Sequence, residues 1–186
     1  MAKVTGPLMS FSASGKLASS IVFAAWKGVS YVRQYVIPAN PQSSDQGDRR
    51  IMAGGTGRSV GKVQVSSTID TKLAALSVIP SGQSKQSYLV QYILDHYLTN
   101  ATTYTSELAS CTGHTAYTSF QGGADDLGIT AFDLTYAAVA PYDKALGIFL
   151  LAKSCIALGF TGAPYTDALS AWTATDITGF IADFTG

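Results

Sequence analysis

The sequence predicts an α+β protein, with an N-terminal β-hairpin arm followed by a mostly helical body. Two runs rich in β-branched and aromatic residues, 21–26 and 29–36, flank the dipeptide Lys27-Gly28. Strand-like runs on either side of such a dipeptide indicate a hairpin with a two-residue loop. Most of the later chain repeats its apolar residues at helical spacing. We therefore expect two regions: residues 1–41, the arm with an extended connector, and residues 42–186, one helical body.

The hairpin carries apolar side chains on both of its faces. If Lys27-Gly28 is the loop, Trp26 lies opposite Val29, and the other cross-strand pairs follow from that register. One face then carries Val22, Trp26, Val29, Tyr31, Arg33 and Tyr35, and the other carries Ile21, Phe23, Ala25, Val32 and Val36. Because the helices of a small chain can cover one face, we interpret the second face as a surface for a partner.

The segments beside the hairpin have signals of their own. Met9 and Phe11 alternate with serines, which predicts a half-buried strand, and Ser14-Gly15 is expected to end it. Pro38-Ala39-Asn40-Pro41 predicts a stiff, extended connector, because proline disfavours helical backbone at the residue before it. This connector marks the boundary between the arm and the body.

The first body helix has a clear start and several glycines soon after it. Ser43-Ser44-Asp45-Gln46 fits a capping box, and Asp45 and Asp48 are acidic residues near the positive end of the helix dipole. Glycine in a helix costs about 1 kcal/mol relative to alanine. We therefore expect the helix to break near Gly54, the first of the glycines Gly54, Gly55, Gly57 and Gly61.

Periodicity divides the rest of the body into helices and one loop-rich region. Residues 88–98 repeat apolar side chains at i, i+4 and predict a helix. Residues 99–123 are rich in Thr, Ser and Gly and predict a loop with one short helix. Further helices are expected at 130–140 and at 142–158, where Gly159 ends the second, and near 166–172 and 176–184.

Composition excludes several classes of protein. Charged residues are only 13% of the 186 residues, and twelve Lys and Arg balance twelve Asp and Glu. A generally basic nucleic-acid binder, a disordered chain and a disulfide scaffold are therefore excluded. Residues 1–62 hold eight basic and two acidic side chains, whereas residues 63–186 hold four and ten. Two interpretations remain open: a basic arm that meets an acidic neighbouring copy, or two halves of one chain that fold against each other.

We expect no membrane segment. The most apolar stretch, residues 145–160, is 16 residues long and contains Lys153, whereas a spanning helix needs about 20. The first residues lack the apolar core of a secretion signal. Cys111 and Cys155 are too few for a disulfide framework. The pattern is typical of a protein made in a reducing cytoplasm.

One motif resembles the active site of a serine hydrolase. Residues 57–61 read G-x-S-x-G, the nucleophile elbow, with Ser59 as nucleophile and Asp95 and His114 following in a possible order for a triad. The elbow needs an apolar strand before the serine, and residues 49–56 do not form one. The same stretch lacks the glycine and the hydroxyl residue of a phosphate-binding loop, so we reject nucleotide binding there.

Metal-ligand patterns in the chain are incomplete. Cys111 and His114 offer two ligands at short spacing, and no second pair accompanies them, whereas a zinc site needs three or four protein ligands. Adjacent acidic residues such as Asp125 and Asp126 cap helices or face solvent more often than they bind calcium. We predict no metal and no cofactor.

Aromatic and basic side chains alternate along the hairpin. Trp26, Tyr31, Arg33 and Tyr35 combine residue types that anchor protein interfaces. The same types could pack in a core or stack on bases of single-stranded nucleic acid. We favour the interface and do not expect a nucleic-acid partner.

The N-terminal quarter resembles a group of tailed-phage and prophage proteins. The resemblance covers roughly residues 6–50. After a glycine and an apolar strand it runs through Trp26-Lys27-Gly28, Tyr31-Val32-Arg33 and Pro38-Ala39-Asn40-Pro41 to Gln46. Proteins with this W-K-G, Y-V-R and P-x-N-P segment look like structural components of virions.

The resemblance implies a structural component of a tailed bacteriophage virion, not an enzyme. It would decorate or cement the capsid, or lie at the head–tail joint, after synthesis in the host cytoplasm. Its partners would be capsid, portal or neck subunits and copies of itself. The expected interface residues are Trp26, Lys27, Tyr31, Arg33, Tyr35, Pro38, Asn40 and Pro41. The sequence leaves two alternatives open: a serine hydrolase that uses Ser59, and a prophage-borne binding module.

Overall fold

The chain folds as two compact units, residues 1–41 and residues 42–186. The structure, a computed structural model, describes residues 15–17, 21–26, 29–34, 43–63, 67–76, 79–129 and 142–185. Several predicted elements lie outside the described residues: the strand at Met9 and Phe11, the Lys27-Gly28 loop, the connector at 38–41 and the helix at 130–140.

Three antiparallel strands make up the described part of the first unit. They are β1 (Gly15–Leu17), β2 (Ile21–Trp26) and β3 (Val29–Gln34), in that order across the sheet. Trp26 pairs with Val29 and Val22 pairs with Arg33, which is the register that a two-residue loop predicts.

Whether Ser14-Gly15 ends the predicted strand at Met9 and Phe11 lies outside the described residues, of which Gly15 is the first and belongs to β1. Gly15 lies opposite Phe23, and Leu17 lies opposite Ile21.

The second unit begins with a helix that continues through its glycines. Helix α1 (Ser44–Val60) starts at Ser43, whose hydroxyl accepts a hydrogen bond from the Gln46 amide at 3.3 Å. The prediction of a break near Gly54 is wrong. Fully buried side chains line one face of α1, and burying each stabilises the helix by about 1.5–3 kcal/mol, more than one glycine costs. These side chains include Ile51, Met52 and Val60.

The next two helices are α2 (Ser67–Ala75) and α3 (Lys85–His96). Helix α3 confirms the helix predicted over residues 88–98, although it begins three residues earlier. The earlier start follows from Ser84, whose hydroxyl caps the helix by accepting from the Ser87 amide at 3.1 Å. Its buried residues Leu89 and Ile93 are one turn apart, as the pattern requires.

Two helices occupy the region predicted to be mostly loop. Helix α4 (Ala101–Thr112) and helix α5 (Tyr117–Asp126) show that the prediction for residues 99–123 is wrong. Asn100 and Thr103 form a reciprocal capping box that starts α4. Within α4 the hydroxyl of Thr105 donates to the backbone carbonyl four residues earlier, so a residue typical of loops satisfies its polar group inside the helix.

Helix α6 (Lys144–Ala157) lies at the centre of the body and packs against α1, α3, α4 and α5. It confirms the helix predicted over 142–158. Every residue from 145 to 152 is buried, so this helix is apolar on all sides. Asp143 caps its start by accepting from the Ala145 amide at 2.7 Å, and Gly159 follows its end with φ of +83°, a conformation that favours glycine.

The chain ends in a 3₁₀ turn (Leu169–Ala171) and helix α7 (Ala174–Thr185). The helix predicted near 166–172 is therefore only this single turn, whereas the one predicted over 176–184 is present. Near the end of the chain, four aromatic rings pack against one another at edge-to-face or tilted angles. They are those of Tyr165, Trp172, Phe180 and Phe184. The prediction of a mostly helical body is confirmed.

Candidate functional site

The structure describes three of the eight predicted interface residues. Trp26 is the last residue of β2, and Tyr31 and Arg33 lie two residues apart on β3. Both β3 side chains are exposed. The other predicted interface residues lie outside the described residues: Lys27, Tyr35, Pro38, Asn40 and Pro41.

Apolar side chains are exposed on both faces of the three-stranded sheet. Tyr31 is 38% exposed and its neighbour Val32 is 54% exposed. Successive residues of a strand point to opposite faces, so these two side chains lie on different faces. Among the residues whose side-chain exposure the structure describes, they are the large hydrophobic side chains that are exposed. The sheet therefore offers apolar surface in two directions.

Charge divides sharply between the two units. Residues 1–41 contain four basic and no acidic side chains, whereas residues 42–186 contain eight basic and twelve acidic ones. Three lysines of the body already form ion pairs, namely Lys85 with Asp70, Lys144 with Asp125 and Lys153 with Glu107. The first unit thus has a net charge of +4 and the second a net charge of −4.

Ser59 lies inside the body and not at an elbow. Its side chain is fully buried in the last turns of α1, and its hydroxyl donates to the Gly55 carbonyl at 3.1 Å. A nucleophile elbow places the serine on a sharp turn between a strand and a helix, where its oxygen is accessible. A substrate has no path to an oxygen buried within a helix.

The other two residues of the possible triad have separate roles. Asp95 is exposed on α3. Both ring nitrogens of His114 are hydrogen bonded, because Nδ1 accepts from the Ala116 amide at 3.0 Å and Nε2 faces the Leu169 carbonyl at 2.9 Å. An amide can only donate and a carbonyl can only accept, so in this arrangement Nδ1 is the acceptor and Nε2 is the donor. His114 joins α4, α5 and the 3₁₀ turn.

Cys111 is buried, whereas His114 is half-buried and hydrogen bonded through both ring nitrogens. The Cys111 thiol is fully buried, and burial raises its pKa to about 12, whereas a metal ligand must be a thiolate. Within the part of the chain that the structure describes, no three His, Cys, Asp or Glu side chains converge. Asp125, considered for calcium, forms its ion pair with Lys144.

A buried polar cluster joins α1 to the start of α6. A Cβ atom on Gly55 would lie 2.1 Å from the Tyr142 ring, and one on Gly147 would lie 2.0 Å from Ser59 Oγ. Burial raises the pKa of Tyr142 to about 12, although the nearby hydroxyls of Thr56 and Ser59 act to lower it. The Tyr142 hydroxyl and Thr56 Oγ1 have no partner within hydrogen-bond geometry.

A cavity of about 330 Å³ lies where the first turns of α1 meet the start of α4. One wall is fixed by Arg49, whose Nη1 donates to the Leu98 carbonyl at 3.1 Å. Asp48 is only 3% exposed, and its Oδ1 accepts no hydrogen bond. The cavity is lined by Asp45, Asp48, Arg49, Met52, Thr99, Asn100, Ala101 and Thr102.

The sequence does not predict that Asp48 is buried. An acidic residue near the start of a helix is usually solvated and favoured by the helix dipole. The signal that could have revealed its burial is the spacing of Asp48, Met52 and Thr56, which are four residues apart and all buried. Asp48 therefore lies on the buried face of α1.

Comparison with protein-family models, with curated proteins and with solved structures finds no match to the chain. Among the described residues, no helix combines the length and the apolar character needed to cross a membrane.

Proposed function

We propose that the protein is a structural component of a tailed bacteriophage virion that acts through protein–protein interfaces. In this proposal residues 1–41 are a β-hairpin arm that docks on other virion subunits, and residues 42–186 are the body that the arm anchors. The observation that carries the proposal is the exposure of Tyr31 and Val32 on opposite faces of one sheet. A sheet with apolar surface on both faces is typical of a partner-binding element.

The energetics of the exposed side chains support this role. Full burial of a valine or similar side chain contributes about 1.5–3 kcal/mol, so covering Val32 and Tyr31 would stabilise a complex appreciably. Tyrosine, tryptophan and arginine are the residue types that most often dominate binding energy. The proposed interface comprises Trp26, Lys27, Tyr31, Arg33, Tyr35, Pro38, Asn40 and Pro41.

The opposite charges of the two units support repeated assembly. The basic residues 1–41 of one copy complement the acidic residues 42–186 of a neighbour. The formal net charge of zero fits the same role, because a protein with net charge near zero associates readily. Copies of the same chain, together with capsid, portal or neck subunits, are therefore the proposed partners.

Within a virion, decoration or cementing of the capsid is the proposed position, and the head–tail joint is the second. An arm on a compact body suits a protein that clamps neighbouring subunits of a lattice. Imaging of purified particles distinguishes the two positions, because a capsid protein follows the lattice of the shell and a joint protein is confined to one vertex. Absence of the protein from purified particles contradicts the proposal and favours the binding module.

A substitution on the sheet tests the proposed surface. In Val32→Glu a charge replaces an exposed valine, so stability changes by no more than about 0.5 kcal/mol, as for most surface substitutions. Incorporation into particles is expected to fall strongly, because a desolvated carboxylate opposes docking. The matched control is Ala109→Glu, which places the same charge at an exposed apolar position of α4.

The measurement is the ratio of variant to wild-type protein in particles assembled from an equal mixture. A ratio near one for Ala109→Glu and far below one for Val32→Glu supports docking by the sheet. Equal incorporation of both variants would show that this face of the sheet makes no contact in the particle. Tyr31→Ser applies the same test to the opposite face.

A further inference from the structure

Strand β3 lies at an edge of the three-stranded sheet. Within the part of the chain that the structure describes, the strand order is β1, β2, β3, so β3 has a neighbouring strand on one side only. Residues 31–34 are all exposed. Edge strands are often blocked by a proline or a bulge, but β3 contains no proline and pairs with β2 without interruption from Val29 to Gln34. Such an edge can pair with another strand.

The register shows which residues of β3 direct their backbone groups toward that edge. Trp26 and Val29 are paired with only two residues between them, so they exchange both hydrogen bonds of their pair. Hydrogen-bonded and non-hydrogen-bonded pairs alternate along an antiparallel ladder. The N–H and C=O groups that point away from β2 are therefore those of Ser30, Val32 and Gln34.

The sheet has few other sources of stability. Its strands are three, six and six residues long, and an independently stable sheet needs at least about three strands with an apolar face or a packing partner. Residues 1–41 contain no Cys, His, Asp or Glu, so this segment can form no disulfide and no ion pair between its own side chains. A further strand on the edge would add backbone hydrogen bonds and extend the sheet.

We propose that β3 pairs antiparallel with β3 of a second copy of the chain, about a two-fold axis at Val32. The three strands of each copy then form one continuous sheet. In this register Val32 lies opposite Val32 of the second copy, and Tyr31 lies opposite Arg33 of the second copy. The proposal names one contact of the arm and rests on the proposed function only in taking copies of this chain as partners.

The side chains of β3 favour this register and a second copy as the partner. Two opposed residues must both direct their backbone groups outward or both inward, so the axis passes through a residue and not between two. An axis at Arg33 would oppose two like charges, which is destabilising. An axis at Tyr31 would place Arg33 opposite Val29, whereas the axis at Val32 places each guanidinium beside a tyrosine ring, a favourable cation–π arrangement. The strand is therefore complementary to itself.

Cross-linking of the full-length protein tests the register. Val32→Cys is expected to form a disulfide-linked dimer in a glutathione redox buffer, because opposed Cα atoms of this pair would lie about 5.5 Å apart. Arg33→Cys is the matched control, since two residues along and one strand across put its two Cα atoms about 8 Å apart, too far for a disulfide. Cys111 and Cys155 are buried, so the wild-type protein is expected to remain unlinked.

A mixture of two variants makes the test specific. Tyr31→Cys and Arg33→Cys are each expected to remain largely unlinked alone, whereas an equal mixture is expected to give the mixed disulfide. Oxidation at about 1 M salt screens the attraction between a basic arm and an acidic body, which could otherwise bring two chains together. Stronger cross-linking of Tyr31→Cys or Arg33→Cys alone than of Val32→Cys, or no cross-linking of Val32→Cys, overturns the proposal.

Sedimentation of proline and threonine variants tests the backbone pairing itself. Val32→Pro removes an N–H that points away from β2, a position where an edge strand tolerates proline, and is expected to raise the dimer dissociation constant at least about tenfold. Val32→Thr keeps the N–H and the β-branched shape and is expected to dimerise like the wild type. Equal weakening in both variants would mean that the Val32 side chain, not the strand edge, holds the dimer, and would overturn the proposal. The cross-linking result does not depend on the folding of Val32→Pro.

The pairing and the virion role can fail separately. Both assays use purified protein in solution, without particles. Absence of the dimer from a protein that is incorporated into particles overturns the strand pairing alone. A dimer with the expected cross-links supports the pairing, even where the protein is absent from purified particles and the virion role is contradicted.

Discussion

Two glycines of the same helix are expected to respond in opposite ways to alanine. Gly55 and Gly57 both lie in the interior of α1, two residues apart. A Cβ atom on Gly55 would lie 2.1 Å from the ring of Tyr142, whereas one on Gly57 would meet nothing within 4 Å. The pair therefore separates the intrinsic effect of glycine on a helix from the effect of close packing.

The magnitudes follow from these two environments. Replacing an exposed glycine in a helix by alanine stabilises it by about 0.5–1 kcal/mol, which is the expected gain for Gly57→Ala. Gly55→Ala has the same gain, but the added methyl group overlaps the buried Tyr142 ring. Overpacking of a filled core costs typically about 1–3 kcal/mol, and here the ring has to move. The 2.1 Å approach places this cost near the upper end of the range, so a net loss of about 2 kcal/mol is expected.

Equilibrium unfolding in urea measures both effects on the same scale. The midpoint of Gly57→Ala is expected to rise and that of Gly55→Ala to fall, with equal slopes, because neither change alters the surface exposed on unfolding. For a domain of this size, 1 kcal/mol corresponds to about 2–4 °C in melting temperature. If Gly55→Ala is as stable as Gly57→Ala, the ring of Tyr142 does not pack on α1 and the described arrangement of α1 and α6 is wrong.

Two further predictions concern a buried hydroxyl and the charge of the two units. Tyr142→Phe removes a hydroxyl that has no partner, so urea unfolding is expected to show an unchanged or slightly higher stability, and a loss above about 2 kcal/mol would contradict this. Because the pKa of Tyr142 is raised to about 12 in the folded state, the contribution of this tyrosine to stability is fully present below about pH 10 and is lost as the pH rises toward 12, and the phenylalanine variant therefore loses less stability over that range. Self-association, measured by sedimentation, is expected to weaken as salt rises from 0.1 M to 1 M, since the Debye length shrinks from about 10 Å to about 3 Å; equal association at both concentrations would show that apolar contacts dominate.

Helices with strong apolar periodicity were predictable, and those with polar or glycine-rich sequences were not. Helix α6 is apolar on every side and α3 repeats its apolar residues every turn, so burial alone identifies both. Helix α4 depends instead on hydrogen bonds of hydroxyl side chains to its own backbone, such as Thr105 and Ser110. Propensity alone assigns such residues to loops, because they compete with the backbone for hydrogen bonds.

The buried polar groups could not be located from the sequence because their environment is formed by distant segments. Tyr142 lies more than 80 residues from Thr56 and Ser59, yet all three hydroxyls meet between α1 and α6. Gly55 and Gly147 permit this approach, and a single sequence gives no sign of which glycines are contacted. Similarly, Asp48 lies beside the start of α4, which is about 50 residues later in the sequence.

The two units offer different contributions to the free energy of association: polar contacts on the described part of the body and apolar contacts on the sheet. In the described part of residues 42–186 the large hydrophobic side chains are at least partly buried, so an interface on that part of the body would be mainly polar and its strength would depend on charge and salt. The sheet instead exposes Val32 and Tyr31, whose burial contributes free energy that salt screens little. A particle that holds this protein firmly at high salt would therefore hold it by the sheet. Charge complementarity would then set the rate and orientation of docking more than its final strength.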